Sequence, residues 1–142
     1  MNSSFLQELT RDVMEASRVR PGQCVGTSVP NATGGTLIRP GGRECYPAFW
    51  IRDFAMSLEC GFITPEEQRH ALLLSAATQQ AGAWQTPSGS LVPHGAIADH
   101  INFDGTPIFF PGTYDPAAQG GKWGKLPALD DHFYFVEMAW QY

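Results

Sequence analysis

The sequence predicts a mainly α fold: about four helices, long aromatic-rich loops and short extended segments. Three observations predict it. Apolar residues recur at three- and four-residue steps near the N-terminus. A Thr64-Pro65-Glu66-Glu67 start opens a long helical run. An aromatic stretch, HFYFVEMAWQY, closes the chain with helical character.

The first helix is expected over residues 4–18. Ser4 can cap it, and Gln7 completes a capping box. Leu6, Leu9, Val13 and Ala16 form one apolar stripe, and Pro21-Gly22 ends the helix. Residues 21–46 are rich in Gly, Pro, Thr and Asn, which predicts short extended pieces joined by turns. A second helix is expected from about Ile51 to Cys60, stopping at Gly61. The third has clear start signals: Thr64 as N-cap, Pro65 at the first helical position and Glu67 closing a capping box. It is expected to continue to Gly82. Residues 83–127 read as a second long loop, far beyond the usual connection of about 4–6 residues. Trp84, His94, His100, Phe103, Phe109, Phe110, Tyr114 and Trp123 make it too aromatic for a disordered linker. The fourth helix is expected from Leu129 or Asp130, capped by Asp130 or Asp131. Its apolar residues lie almost all round, which predicts burial on more than one side.

The 142 residues suit a single domain, 1–142. Charged residues make up only 16%, which argues for a globular chain rather than a solvated tail. The net charge of -5 and the lack of any Lys/Arg run exclude nucleic acid as an expected partner. No apolar run is long enough to span a bilayer, so no membrane partner is expected. Cys24, Cys45 and Cys60 form no framework of disulfides and read as reduced thiols, which points to the cytoplasm. One disulfide plus a free thiol is the other reading. The Asn31-Ala32-Thr33 triplet carries no weight in such a compartment.

The chemistry-bearing stretch is YPAFWIRDFAM, residues 46–56. Arg52 and Asp53 stand side by side in an apolar, aromatic run, where unpaired charge is costly. At a helix start both can face a cavity, and the helix N-terminus favours the Asp53 anion. Trp50 beside them would cover the apolar face of a sugar ring while Arg52 and Asp53 bind its hydroxyls. A buried structural bridge beside a core Trp explains the same residues. A second stretch, KWGKLPALDDHFYF, offers Trp123 as another aromatic wall and Asp130 and Asp131 as carboxylates or caps. At a helix N-terminus both should have lowered pKa values. That disfavours the protonated acid needed for glycoside cleavage, so hydroxyl binding or capping is the expected role.

His94, Asp99, His100 and Asp104 cluster in the second loop. Their spacing fits no strong metal template, so no metal or cofactor is expected. Loop hydrogen bonding is the reading for them. There is no Gly-x-Ser-x-Gly, no Cys-His signature and no phosphate loop.

Taken in order, NATGGTLIRPGGRECYPAFWIRDFAM and WGKLPALDDHFYF resemble two segments of the six-hairpin glycosidases, the glucoamylase and trehalase-like group. The resemblance covers roughly residues 25–140 in outline. It implies a partial (α/α)6 toroid, with Arg52 and Asp53 holding sugar hydroxyls, Trp50 and Tyr46 beside them, Trp123 lining the site and Asp130 matching the carboxylate of the second segment. Leu126 is inserted and Ala128 replaces a Gln, and His132-Phe133 follow where small residues are common. In the resembled enzymes the catalytic carboxylates lie beyond the matched segment. The resemblance therefore implies an incomplete N-terminal portion of a glycoside hydrolase for oligo- or polysaccharides. It further implies self-association or a completing segment. The alternatives are a non-catalytic carbohydrate-binding protein and a helical scaffold.

Overall fold

The computed structural model describes residues 3–41, 46–85, 91–109 and 130–142. Four helices are present among them: α1 (Ser3–Ser17), α2 (Ile51–Ser57), α3 (Pro65–Ala77) and α4 (Asp131–Gln141). The fold class nevertheless differs from expectation. Seven short strands accompany the helices, and the chain is mixed α/β rather than a mainly α partial toroid.

The strands are β1 (Arg18–Val19), β2 (Leu37–Ile38), β3 (Ala48–Trp50), β4 (Trp84–Gln85), β5 (Leu91–Val92), β6 (His100–Asn102) and β7 (Pro107–Ile108). They form three antiparallel sheets: β1 with β2, β4 with β5, and β3-β6-β7 in that order. Each is two or three residues long, too short to show the alternation by which a strand is read from sequence. The region from residue 83, expected to be loop, holds four of them.

The helix punctuation matches the sequence closely. Thr64 caps α3: Glu67 N–H donates to its hydroxyl at 3.2 Å, and the Thr64 N–H donates to the Glu67 carboxylate at 2.9 Å. Pro65 sits in the first turn, where its missing N–H costs nothing. The helix ends at Ala77 rather than Gly82. After α2 the chain tightens into a single 3-10 turn, Leu58–Cys60, and leaves through Gly61 at φ 77°. That left-handed conformation is available to Gly at little cost.

Two predicted faces are differently placed. Leu6, Leu9, Val13 and Ala16 of α1 are exposed, and the helix instead buries Met14 and Ser17. The Ser17 hydroxyl donates to Val13 O at 2.9 Å, so it is satisfied within its own helix. α4 buries Asp131 and Met138, while Phe133, Val136 and Trp140 stand out on the other side. Its nearly continuous apolar character therefore does not correspond to burial all round.

The core lies where β3 enters α2. Phe49, Ile51 and Phe54 from this segment pack with Ile101, Phe103, Val19, Leu37 and Met138. The loop before β2 is held by Asn31, which is buried. Its amide donates to Val19 O at 2.7 Å and Gly35 O at 2.8 Å, and its Oδ1 accepts from Thr33 N–H at 3.0 Å. Asn31 thus serves as a structural residue that ties this loop to β1.

Gly35 has a comparable packing constraint. A Cβ there would lie 2.4 Å from His70 Cγ, and the His70 ring is itself 3.0 Å from the Thr33 hydroxyl. The ring can move only by giving up that bond. Gly35→Ala should lower stability by about 1–3 kcal/mol, seen as an earlier urea midpoint with an unchanged slope. An unaltered midpoint would show that His70 swings aside freely.

Candidate functional site

The site is built on the β3–α2 junction. Trp50 ends the strand in an extended conformation, φ -97° and ψ 125°, and the helix starts at the next residue. No connecting residue intervenes. Phe49 and Ile51 are buried, whereas Trp50, Arg52 and Asp53 are half-buried. Alternation along the strand and rotation in the first helical turn thus bring those three side chains away from the core.

β6 lines the junction from the other side. Trp50 pairs with His100 in register. Their rings stack, with centroids 4.3 Å apart and planes at 19°. Tyr46, though exposed, meets the Trp50 ring edge-on at 5.2 Å. His100 Nδ1 lies 2.6 Å from Asp99 Oδ2, and both residues are buried. An ionised carboxylate can only accept, so the imidazole donates. The backbone locks this pair in place: Ile51 N–H donates to Asp99 O at 3.3 Å, and Asp99 N–H donates to Ile108 O at 2.9 Å.

α4 closes the arrangement by packing against α2. Arg52 Nη1 donates to Asp130 Oδ2 at 2.8 Å. Arg52 therefore pairs across elements, with Asp130 and not with its neighbour Asp53. Asp130 occupies the N-cap position of α4, yet its side chain makes no capping bond. His132 anchors the helix start by accepting from Ile97 N–H at 3.3 Å. Between them sits Asp131, 2% exposed, with no hydrogen-bond partner for its Oδ1 among the described residues.

Burial pushes the Asp131 carboxyl up to about 7, and the charges of Asp99, Asp130 and Asp53 push the same way, against the pull of Arg52. The expectation that both α4 carboxylates would be strong acids is thereby corrected for Asp131. The field of a helix N-terminus amounts to a partial charge. Desolvation and three like charges outweigh it. For Arg52, partial burial works against its charge, but Asp130, Asp131 and Asp99 more than reverse this, and its pKa is raised.

Six of the seven residues singled out from sequence are described. Trp50, Arg52, Asp53 and Tyr46 gather at the junction, and Asp130 and Asp131 join them from α4. Trp123 lies outside the described residues. Of the loop cluster, Asp99 and His100 belong to the site. His94 is exposed, and Asp104 instead accepts from Thr106 N–H at 2.9 Å in a turn. No group of three or more potential metal ligands occurs among the described residues. Sequence reading did not connect Asp99-His100 to the Arg52 stretch. The signal was available in GAIADHINF, where an ionisable pair also interrupts an apolar run. A cavity of about 430 Å³ elsewhere, lined by Gly34–Thr36 and the start of α3, shares none of these residues.

No protein-family model, curated protein or solved structure matches this chain.

Two expectations separate support from chemistry. The side chains of Arg52 and Asp130 are 43% and 45% exposed, whereas those of Arg18 and Glu67 are 12% and 10% exposed. Arg52→Met should cost at most about 1 kcal/mol, as for other exposed pairs. Arg18→Met strands a buried carboxylate and should cost about 3 kcal/mol or more. Equal losses in chemical denaturation would make Arg52 a structural residue.

Asp131 should also imprint the pH dependence of stability. An unfolded Asp titrates near 3.8 and the folded one near 7. Between these values the folded chain retains a proton that the unfolded chain has released. The contribution is fully present below the lower value and is lost as pH rises through the upper. Asp131→Asn should match the parent at pH about 4 and exceed its stability at pH about 8 by up to about 4 kcal/mol. Urea midpoints across that range check this, and parallel curves for the two proteins would contradict it.

Proposed function

We propose that this site binds the glycosyl unit of an oligo- or polysaccharide and contributes to cleavage of its glycosidic bond. The supporting observation is Asp131: a carboxyl that retains its proton near neutral pH, set between a half-exposed Arg52–Asp130 pair and a buried carboxylate. Glycoside cleavage requires such an acid, with a pKa raised by its surroundings, working beside an ionised carboxylate.

The division of labour follows from the chemistry of each group. Trp50 offers an apolar ring face to sugar C–H groups, and its orientation is held by stacking. Arg52 donates and Asp53 and Asp130 accept, which suits vicinal hydroxyls. Exchange of the Arg52–Asp130 contact for bonds to hydroxyls costs little, because the pair is already partly solvated. Asp131 gives its proton to the glycosidic oxygen as the C–O bond to the anomeric carbon breaks. Water supplies the hydroxyl to that carbon, and its remaining proton returns the acid to its starting state. A second carboxylate assists the water or the carbon, as in any glycosidase of this kind.

The near-complete burial of Asp131 favours a second reading, a carbohydrate-binding protein without turnover, in which the carboxyl only shapes the site. A tryptophan-fluorescence titration with mono- and disaccharides, run beside an assay for released reducing sugar, distinguishes them. Arg52→Met should weaken binding at least about tenfold. Asp131→Asn should keep binding and reduce turnover by about a hundredfold or more. Saturable binding with no turnover in the parent would leave the second reading. No response in a folded sample would remove the carbohydrate reading altogether.

A further inference from the structure

The contacts of the buried His100 ring include two of unlike kind. Its face lies on Trp50 at 4.3 Å, and its Nδ1 lies 2.6 Å from the Asp99 carboxylate. Antiparallel register fixes the first contact, since Trp50 and His100 are directly paired. The backbone bonds of Asp99 to Ile51 and Ile108 fix the second. An imidazole is rigid and planar. A rotation of the ring that follows the Trp50 face therefore changes the direction of the Nδ1–H bond, and the reverse also holds.

We infer that His100 is the positioning residue of the site, a single ring that sets the Trp50 platform and the Asp99 carboxylate in fixed relation, and through Asp99 governs the acid Asp131. The inference deepens the glycosidic reading and rests on it for its catalytic meaning. The mechanical coupling itself needs no sugar.

The path to Asp131 is electrostatic. Asp99 opposes ionisation of Asp131 most strongly among the charges around it. The other charges facing Asp131 are Asp130 from its own element and Arg52 and Asp53 from α2. His132, next to Asp131, is engaged with Ile97 N–H. The Nδ1–H bond holds the Asp99 carboxylate in one orientation. Without it the Asp99 carboxylate is free to turn away, and because charge interaction falls with distance its opposition to Asp131 fades. The acid would then titrate lower.

Two variants divide the two contacts. His100→Phe keeps a flat ring for Trp50 and removes the donor. His100→Asn keeps a donor near the Nδ1 position and removes the ring. Both are read without ligand, after circular dichroism establishes folding. Carboxyl NMR follows the Asp131 titration, assigned with Asp131→Asn, and near-ultraviolet dichroism follows the Trp50 environment, assigned with Trp50→Phe. His100→Phe should lower the Asp131 midpoint by about one pH unit and keep the Trp50 signal. His100→Asn should keep the midpoint and lose most of that signal. Midpoints unchanged in both variants, or both readouts shifting together in both, would overturn the inference. So would failure of both variants to fold, which would assign His100 to the core alone. Absence of saccharide binding in the parent would remove the proposed function and leave this coupling standing, so the two failures are distinguishable.

Discussion

The junction at Trp50 and Ile51 is the constraint on which the site depends. A strand becomes a helix there with no residue in between. In a strand, neighbours point to opposite faces; in a helix, they are offset by about 100°. The change of period within one peptide unit leaves Phe49, Ile51 and Phe54 buried and Trp50, Arg52 and Asp53 outside the core. β6 then supplies the partner for β3, and α4 packs on α2. Every polar group of the site is attached to one of these three pieces. A one-residue slip of β3 against β6 would turn Trp50 to the opposite face of the sheet and away from His100.

The distribution of charge follows from that geometry. Arg18–Glu67 and Arg52–Asp130 are both Arg–carboxylate pairs, but their surroundings differ. Arg18 donates Nε to Glu67 at 2.6 Å and Nη2 to Phe62 O at 2.6 Å, while the same Glu67 closes the α3 capping box. It is a joint between three parts of the fold. Arg52 makes one side-chain bond to Asp130 and remains open to solvent on the other side. Burial with full satisfaction marks a structural pair, whereas the exposed Arg52–Asp130 pair stands beside a buried carboxyl whose Oδ1 has no partner among the described residues, the contrast on which the proposed binding role rests.

What was legible in the sequence were the features with local causes. Thr64-Pro65-Glu66-Glu67 announces α3 because capping needs only residues three apart. Gly61 ends the preceding turn because only its own φ matters. The Arg52–Asp53 stretch stands out because adjacent charges in an apolar run are rare. Beyond the short extended pieces expected over residues 21–46, where β2 lies, the strands were not legible, since two or three residues carry no period and β3–β6 pairing joins segments about fifty residues apart. The same distance hid the membership of Asp99 and His100. The partner of Arg52 was hidden for a similar reason: Asp130 meets it only through the packing of α4 on α2. Exposure of Leu6, Leu9 and Val13 could not be read from a stripe whose pattern is that of a buried one.

Asp131 shows why local rules gave the wrong sign for one pKa. At the start of α4 the helix dipole favours an anion, and on sequence alone that is the only effect visible. Folding adds desolvation and brings Asp99 and Asp53 from distant segments, with Asp130 alongside. Each added charge would be modest in water, but near-complete burial reduces the screening that would weaken it. Arg52 cannot restore the balance, because its direct bond goes to Asp130. Among the described residues Asp131 is the carboxyl with the least contact with solvent and has no partner for Oδ1, and the proton stays with it. A carboxylic acid held neutral by its neighbours is costly as an ornament of a core and useful as a donor. That asymmetry is the physical ground on which the proposed glycosidic role rests.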